Sequence, residues 1–226
     1  MEVKSQEVLR FDGAWREENR LLVRESDLSL RLGSEVLSLN VTMEDIEDFI
    51  HGFLFTSGRL AGPYEIKNIS IDGTVAHVDL GEGEGFVPSP STYRPSMEVL
   101  MKAIYDFNQP TELFAATRAV HSCALYDCQG RRVLVRNDIG RHNAMDKVIG
   151  AILREKIDIK DKFIYISGRL PELMVAKAAK IGVKTLVTLA KATDRGLNLA
   201  KDKDMTLIGE TRKPYAFTLY NGPMPD

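Results

Sequence analysis

Asn137-Asp138-Ile139-Gly140-Arg141-His142-Asn143-Ala144-Met145-Asp146-Lys147 separates two apolar runs. The run before it, Val133-Leu134-Val135, reads as a strand, and Val148-Ile149-Gly150-Ala151-Ile152-Leu153 after it reads as the buried side of a helix. Between them nearly every side chain is polar or ionisable, and Gly140 permits a tight turn. At a strand-to-helix junction the backbone N–H groups point outward and the helix dipole favours negative charge. Arg141 and His142 add donors suited to phosphate. Taken alone, the stretch also reads as a solvated turn before a capped helix.

The pattern recurs twice downstream. Phe163-Ile164-Tyr165-Ile166 is followed by Ser167-Gly168-Arg169 and a helix opened by Pro171, running to Lys180 with Gly182 as its C-cap. Thr185-Leu186-Val187-Thr188-Leu189 is followed by Ala192-Thr193-Asp194-Arg195-Gly196 and a helix to about residue 201. Leu207-Ile208 and the stretch from Tyr215 to Tyr220 supply late strands. Such alternation implies an α/β domain with a parallel sheet, whose ligands sit outside the carboxyl ends of the strands. Arg141, Arg169 and Arg195 would then converge on one mouth, a phosphate or pyrophosphate site in a pocket-forming position.

Upstream the chain reads differently. Residues 1–20 are polar and mixed in charge, with Phe11 and Trp15 as anchors. Leu21-Leu22-Val23, Leu28 to Leu32 and Val36 to Val41 read as short strands, the last two joined at Gly33-Ser34. Thr42 reads as the N-cap of a helix whose stripe is Ile46, Phe49, Ile50 and Phe53, ending near Gly58. Residues 66–71 and 75–80, split by Asp72-Gly73, give a hairpin signal. Gly81-Glu82-Gly83-Glu84-Gly85 with Pro88, Pro90 and Pro95 marks a loop and boundary. A small, strand-rich mixed α/β domain over 1–95 and an α/β domain over 96–226 follow. Met97 to Phe107 reads as a helix, Thr111 caps a short one, and Val120 to Tyr126 reads as a strand on which His121 and Cys123 share a face.

The 226 residues carry a net charge of −2, so no global basic field points to nucleic acid. No run is long enough to span a bilayer, no leader is evident, and a cytoplasmic setting is the expectation. With two cysteines and four scattered histidines, neither a disulfide framework nor a zinc site is indicated. Phosphate-loop and nucleophile-elbow motifs are absent. Cys123 reads either as a small buried residue or as a thiolate stabilised by His121.

These residues resemble the FdhD family of formate dehydrogenase accessory sulfurtransferases. Residues 137–147 are similar to that family's Glu-Asp-Val-Gly-Arg-His-Asn-Ala-x-Asp-Lys. Ser167-Gly168-Arg169 with Met174, Val175, Lys177 and Ala178 resembles its Ser-Gly-Arg helix. Residues 121–125 resemble its His-x-Ala-Ala-Leu, residues 52–58 its Gly-Phe-Leu-x-x-Glu-Gly, and residues 206–209 with Arg212 its Thr-Leu-x-Gly-Phe-x-Arg. The resemblance implies a cytidine-deaminase-like α/β domain, a homodimer, and partners in a cysteine desulfurase and a molybdenum-dependent formate dehydrogenase. It implies binding of the molybdenum bis-guanine-dinucleotide cofactor, or a GDP-like nucleotide, by Asp138, Gly140, Arg141, His142, Asn143, Asp146, Lys147, Ser167, Gly168 and Arg169, with Glu210, Thr211, Arg212, Lys213, Pro214 and Tyr215 as a C-terminal contact. The sequence departs from the family where its persulfide-carrying Cys-x-x-Cys would fall, at about Ser89 and Thr92. It departs again at Arg118-Ala119-Val120 and at Ala190-Lys191-Ala192-Thr193. Two readings remain: a sulfurtransferase with Cys123 as substitute carrier beside His121, or a non-catalytic cofactor-holding protein. The loop from Gly81 to Pro95 is expected to be mobile and near the mouth.

Overall fold

The computed structural model describes residues 3–60, 64–83, 85–213 and 216–226. In chain order the elements are β1 (Val3–Phe11), β2 (Trp15–Val23), β3 (Ser26–Leu32), β4 (Glu35–Val41), α1 (Ile46–Thr56), β5 (Tyr64–Asp72), β6 (Val75–Glu82), α2 (Met97–Phe107), α3 (Glu112–Thr117), β7 (His121–Tyr126), β8 (Arg132–Asp138), α4 (Arg141–Arg154), β9 (Phe163–Ile166), α5 (Glu172–Ile181), β10 (Thr185–Thr188), α6 (Asp194–Asp202), β11 (Thr206–Gly209) and β12 (Thr218–Asn221). The mixed α/β class expected from the sequence is the one observed.

Strands 7–12 form a six-stranded sheet in the order β12-β11-β10-β9-β7-β8. Both of its faces are covered, which explains the unbroken apolar runs. Alternate residues go to opposite sides: Ile164, Ile166, Leu186 and Leu207 pack against α4 and α5, while Phe163, Tyr165, Val187 and Ile208 pack against α2. Beyond α4 lies α1, which covers a four-stranded sheet, β4-β3-β6-β5, through Phe49, Ile50 and Leu54.

Helices α1 and α4 cross at two glycines. A Cβ on Gly150 would overlap the Asp48 carbonyl, and one on Gly52 would overlap that of Asp146. Backbone therefore touches backbone, and α4 is buried nearly all round between the sheet and α1. Asp48, 2% exposed, bonds Arg136 of β8 at 2.8 Å and Arg154 of α4 at 2.5 Å across this crossing.

Three expectations need correction. The central sheet is mixed, because β7 runs antiparallel between β8 and β9 and β12 antiparallel to β11. The polar N-terminal stretch, given no element by the sequence reading, holds β1 and the start of β2, which form a two-stranded ribbon of their own. Thr42 does not cap α1. Asp45 stands there with φ 54° and no side-chain cap, while Thr42 is buried against Asp138. The segment before α2 is irregular, as expected, but it is pinned, and it lies at the wrong end for the mouth. Ser91 N–H donates to Gly182 O at 2.8 Å and its Oγ to Lys160 O at 2.9 Å. Thr185, which opens β10, donates to Tyr93 O, and Arg94 bonds Thr206, which opens β11. These are the amino ends of the strands. Glu84 lies outside the described residues.

Gly150→Ala tests the crossing. Alanine ordinarily gains about 1 kcal/mol over glycine inside a helix. Here the backbone overlap dominates, and a net loss of about 2 kcal/mol or more is expected in urea unfolding. A stabilised variant would mean the helices sit further apart.

Candidate functional site

Strands β8, β9, β10 and β11 run the same way, so their carboxyl ends share one edge, joined there by the first residue of antiparallel β7. His121 is paired with Asp138 in register, and Ser167 N–H donates to Ser122 O at 2.9 Å. This edge is the mouth expected from the sequence.

The Asn137–Lys147 stretch divides in two at this edge. One half is buried. Asp138 and Lys147 are fully buried and paired at 2.8 Å. Lys147 Nζ also donates to Thr42 O at 3.0 Å, Thr42 Oγ1 at 2.7 Å and Asn137 O at 3.1 Å. Asp138 accepts from the Thr42 N–H and hydroxyl, the Gly140 N–H and the Asn143 amide. Asn143 Nδ2 further donates to Asn40 O. Asp146, almost fully buried, bonds Thr56 of α1 at 2.8 Å and Lys177 of α5 at 2.5 Å. Asp138, Asn143, Asp146 and Lys147, grouped with the cofactor contacts by resemblance, therefore hold α4 to the N-terminal layer. None of their buried polar atoms is left over for a ligand.

The other half is open. Gly140 precedes α4 without a side-chain cap, and no acid occupies the first turn. Among the described residues no side-chain cap therefore meets the first N–H groups of α4, at the positive end of a 14-residue helix. Arg141 leads this turn. Its side-chain carbons lie on Gly168, where a Cβ would come within 2.7 Å of Arg141 Cδ, so only glycine lets the guanidinium cross here. Arg141 Nε is buried without a partner among the described residues. Pro171, before α5, likewise offers no side-chain cap.

Beside this turn, His121 Nδ1 lies 3.1 Å from Ser167 Oγ, which also accepts from the Ser122 N–H at 3.0 Å. Burial, then the Arg141 charge, holds His121 below the usual histidine range. His142 is pushed down to about 4 by burial, then by Lys177 and Arg141. Both imidazoles are held toward the neutral form. A cavity of about 500 Å³ opens next to His121, floored by His121, Ser122 and Ser167 and walled by Phe107, Phe114 and Leu189. Arg118 and Arg212 stand at its rim, both exposed. Arg132 also lines it but is occupied by Asp106 at 2.9 Å.

The structure brings Arg141, His142, Ser167, Gly168 and His121 together and puts Arg212 on the adjoining cavity. Arg169 is exposed at the same edge. Arg195 is instead paired with Glu172. Thr211 is buried between Tyr165 Oη of β9 and Thr188 O of β10, and Glu210 accepts from Thr218 and Tyr220 of β12 and pairs with Lys191 at 3.3 Å, so both are committed within the sheet. Lys213 is exposed; Pro214 and Tyr215 lie outside the described residues. Cys123 is fully buried between the sheet and α4, and burial pushes its thiol far up, so no stabilised thiolate forms beside His121. Sequence reasoning missed Thr111 and Ser122, which both donate to Asn137 Oδ1, at 3.0 and 2.7 Å, and so fix the cavity wall. Arg118 was visible only as a departure from the family pattern. No group of three or more His, Cys, Asp or Glu residues placed to hold a metal occurs among the described residues, and no described helix is long and apolar enough to cross a membrane.

The whole arrangement is shared with a solved structure described as a formate dehydrogenase accessory protein, from Desulfotalea psychrophila. The two agree with a TM-score of 0.84 and 28% identity over 98% of this chain and 97% of that one. The fold is that of this accessory class. Residues 82–224 match the profile of the FdhD/NarQ family. The sulfur carrier protein FdhD of Bacillus subtilis is 32% identical over 89% of this chain and 88% of its own length. That of Geobacillus kaustophilus is 31% identical over 92% and 91%. The chain belongs to the FdhD/NarQ family.

The half-buried His142 gives a pH dependence. Its folded value of about 4 lies below the ordinary 6.5, so the unfolded chain binds the extra proton between them. Its contribution to stability is complete above pH 6.5 and is lost as pH falls toward 4. In His142→Gln that part of the pH–stability slope should vanish in urea titrations; an unchanged slope would contradict the assignment.

Proposed function

We propose that this protein is a formate dehydrogenase accessory protein that holds a guanine-dinucleotide form of the molybdenum cofactor as cargo, its phosphates against the α4 amino end. The observation that carries this reading is the Arg141 turn: a guanidinium Nε buried without a partner among the described residues, over an uncapped helix start. The apolar-walled cavity beside it, with a rim of Arg118 and Arg212, has the size and lining of a small-molecule site. The class of cargo is what the resemblance of residues 137–147 and 167–169 implies. Cysteine desulfurase and formate dehydrogenase are the partners this role calls for.

The role within that class turns on the cysteines. To carry sulfur, a thiolate must take the terminal sulfur of a donor persulfide, releasing the donor thiol. Cys123 is closed off. Cys128 is exposed on the β7–β8 turn, at the sheet edge opposite the mouth, where its thiol donates to Asp161 at 3.3 Å. The Tyr93 hydroxyl donates to Cys128 O at 3.4 Å, which puts this turn against the loop bearing Ser89 and Thr92. That bond to Asp161 raises the Cys128 thiol above its ordinary range. The geometry therefore favours cofactor holding over sulfur transfer, and any sulfur carried would reside on Cys128.

Calorimetry with GDP tests the holding role. Each charge-assisted phosphate contact is worth about 1.5–3 kcal/mol, so Arg141→Ala with Arg169→Ala should weaken GDP at least a hundredfold. Binding indifferent to both changes would overturn the site.

Mass analysis after incubation with a cysteine desulfurase and cysteine tests the sulfur arm. Cys123 in the folded protein should remain unlabelled, and any added sulfur should disappear in Cys128→Ala. Persulfide on Cys123 would contradict the account.

A further inference from the structure

One hydroxyl at the mouth sets the chemistry of its neighbour. Ser167 Oγ lies 3.0 Å from the Ser122 backbone nitrogen and 3.1 Å from His121 Nδ1. A backbone N–H can only donate, so Ser167 accepts at the first contact. Its own proton remains, and among the described residues the acceptor within its reach is His121 Nδ1. Were Nδ1 protonated instead, the oxygen would accept twice and the hydroxyl proton would have no partner in the chain. Burial and the Arg141 charge, against Asp138, hold the ring toward the neutral form. A neutral imidazole whose Nδ1 accepts carries its proton on Nε2. The backbone keeps this arrangement in place, since Ser167 N–H donates to Ser122 O at 2.9 Å and ties the ends of β9 and β7 together.

His121 Nε2 has no hydrogen bond among the described residues, and it is not sealed off: the buried side-chain atom without a partner among them is Arg141 Nε. His121 lines the cavity of about 500 Å³, so this donor opens on it. The rest of the lining has the same polarity. No aspartate or glutamate belongs to it, and its charged groups are Arg118, Arg132 and Arg212, which can only donate. Phe107, Phe114 and Leu189 give apolar walls suited to a flat ring. Ile139 and Ser167 belong to the lining, and each is one residue from Gly140 and Gly168 of the Arg141 turn. A nucleotide with its phosphates on that turn therefore has this floor within reach of its base.

Purines differ in what they show such a floor. Guanine presents O6 and N7, two adjacent acceptors, where adenine sets an amino donor beside N7. A lining of donors satisfies the first and puts donor against donor in the second. We infer that His121 Nε2–H selects a guanine base through its 6-oxo group, and that Ser167 is the positioning residue that fixes this donor without touching the cargo. This rests on the cofactor-holding reading and goes beyond it: the Arg141 turn holds the phosphates of any nucleotide, and the His121–Ser167 pair chooses the base.

Two measurements on the full chain test it. Long-range proton–nitrogen spectra of the histidine rings report the tautomer directly, and His121→Phe assigns the signal among the four histidines. Wild type should show Nε2–H at His121, and Ser167→Ala should show a mixture of tautomers. In calorimetry GDP should bind at least about tenfold tighter than ADP, the worth of one hydrogen bond made against one refused. That ratio should fall toward one in His121→Phe and fall in part in Ser167→Ala. A wild-type ring protonated on Nδ1 would overturn the inference. So would a Ser167→Ala protein that keeps both the Nε2–H tautomer and the full ratio. Equal binding of GDP and ADP, with both lost in Arg141→Ala and Arg169→Ala, would refute the choice of base and leave the holding role standing. Absence of binding by either nucleotide would remove the holding role, and this inference with it.

Discussion

One buried ion pair, Lys147 with Asp138, fixes the relation between the two layers of this protein. Neither group has solvent to fall back on. Such a pair gives little net stability over apolar packing, because desolvation consumes most of the attraction. Its value is in what it specifies. Lys147 finds its remaining acceptors on Thr42 and Asn137, and Asp138 finds its donors on Thr42, Gly140 and Asn143. The observed seating of the N-terminal layer on α4 satisfies all of them at once. Removing one partner strands the other, at a cost of about 3–5 kcal/mol.

The same pair sets up the mouth. By drawing the Gly140 N–H and the Asn143 amide inward, Asp138 fixes the turn and leaves the α4 start facing the edge without a carboxylate. Arg141 then stands beside His121 and His142, whose charged forms its own charge disfavours, and has no ion pair among the described residues. Electrostatics here is arranged by subtraction: every acid of the stretch is buried and committed, and only donors remain. A polyanion is what such an edge lacks, and the adjoining cavity offers apolar walls for whatever the anion is attached to.

Much of this was legible in the sequence, for identifiable reasons. The three strand–turn–helix units, the Asp72-Gly73 hairpin, the Thr111 cap and the α2 stripe are local signals, and the structure has each of them. The failures are all non-local. The ribbon was invisible because its residues pack on no core and so carry no burial pattern. The direction of β7 was missed because a strand's orientation is not written in its own residues. Thr42 has the composition of a cap, yet its hydroxyl goes to a carboxylate 96 positions away. At the site, residue type named the right stretch but could not tell inward from outward: the resemblance grouped Asp138 and Lys147 with the ligand contacts, and nothing in their own residue types shows that they turn inward. Cys123 shares a strand face with His121, as period two required, but that face is covered by α4.

The central claim is that this stretch has a buried half that holds and an open half that binds. Urea unfolding of Lys147→Met and Arg141→Ala, each with and without GDP, separates them. A ligand at a hundred times its dissociation constant adds about 2.7 kcal/mol to stability. The account predicts that Lys147→Met loses about 3–5 kcal/mol of intrinsic stability yet keeps the GDP increment. Arg141→Ala should keep its stability and lose the increment. The reverse pattern, or an increment lost in Lys147→Met alone, would contradict it.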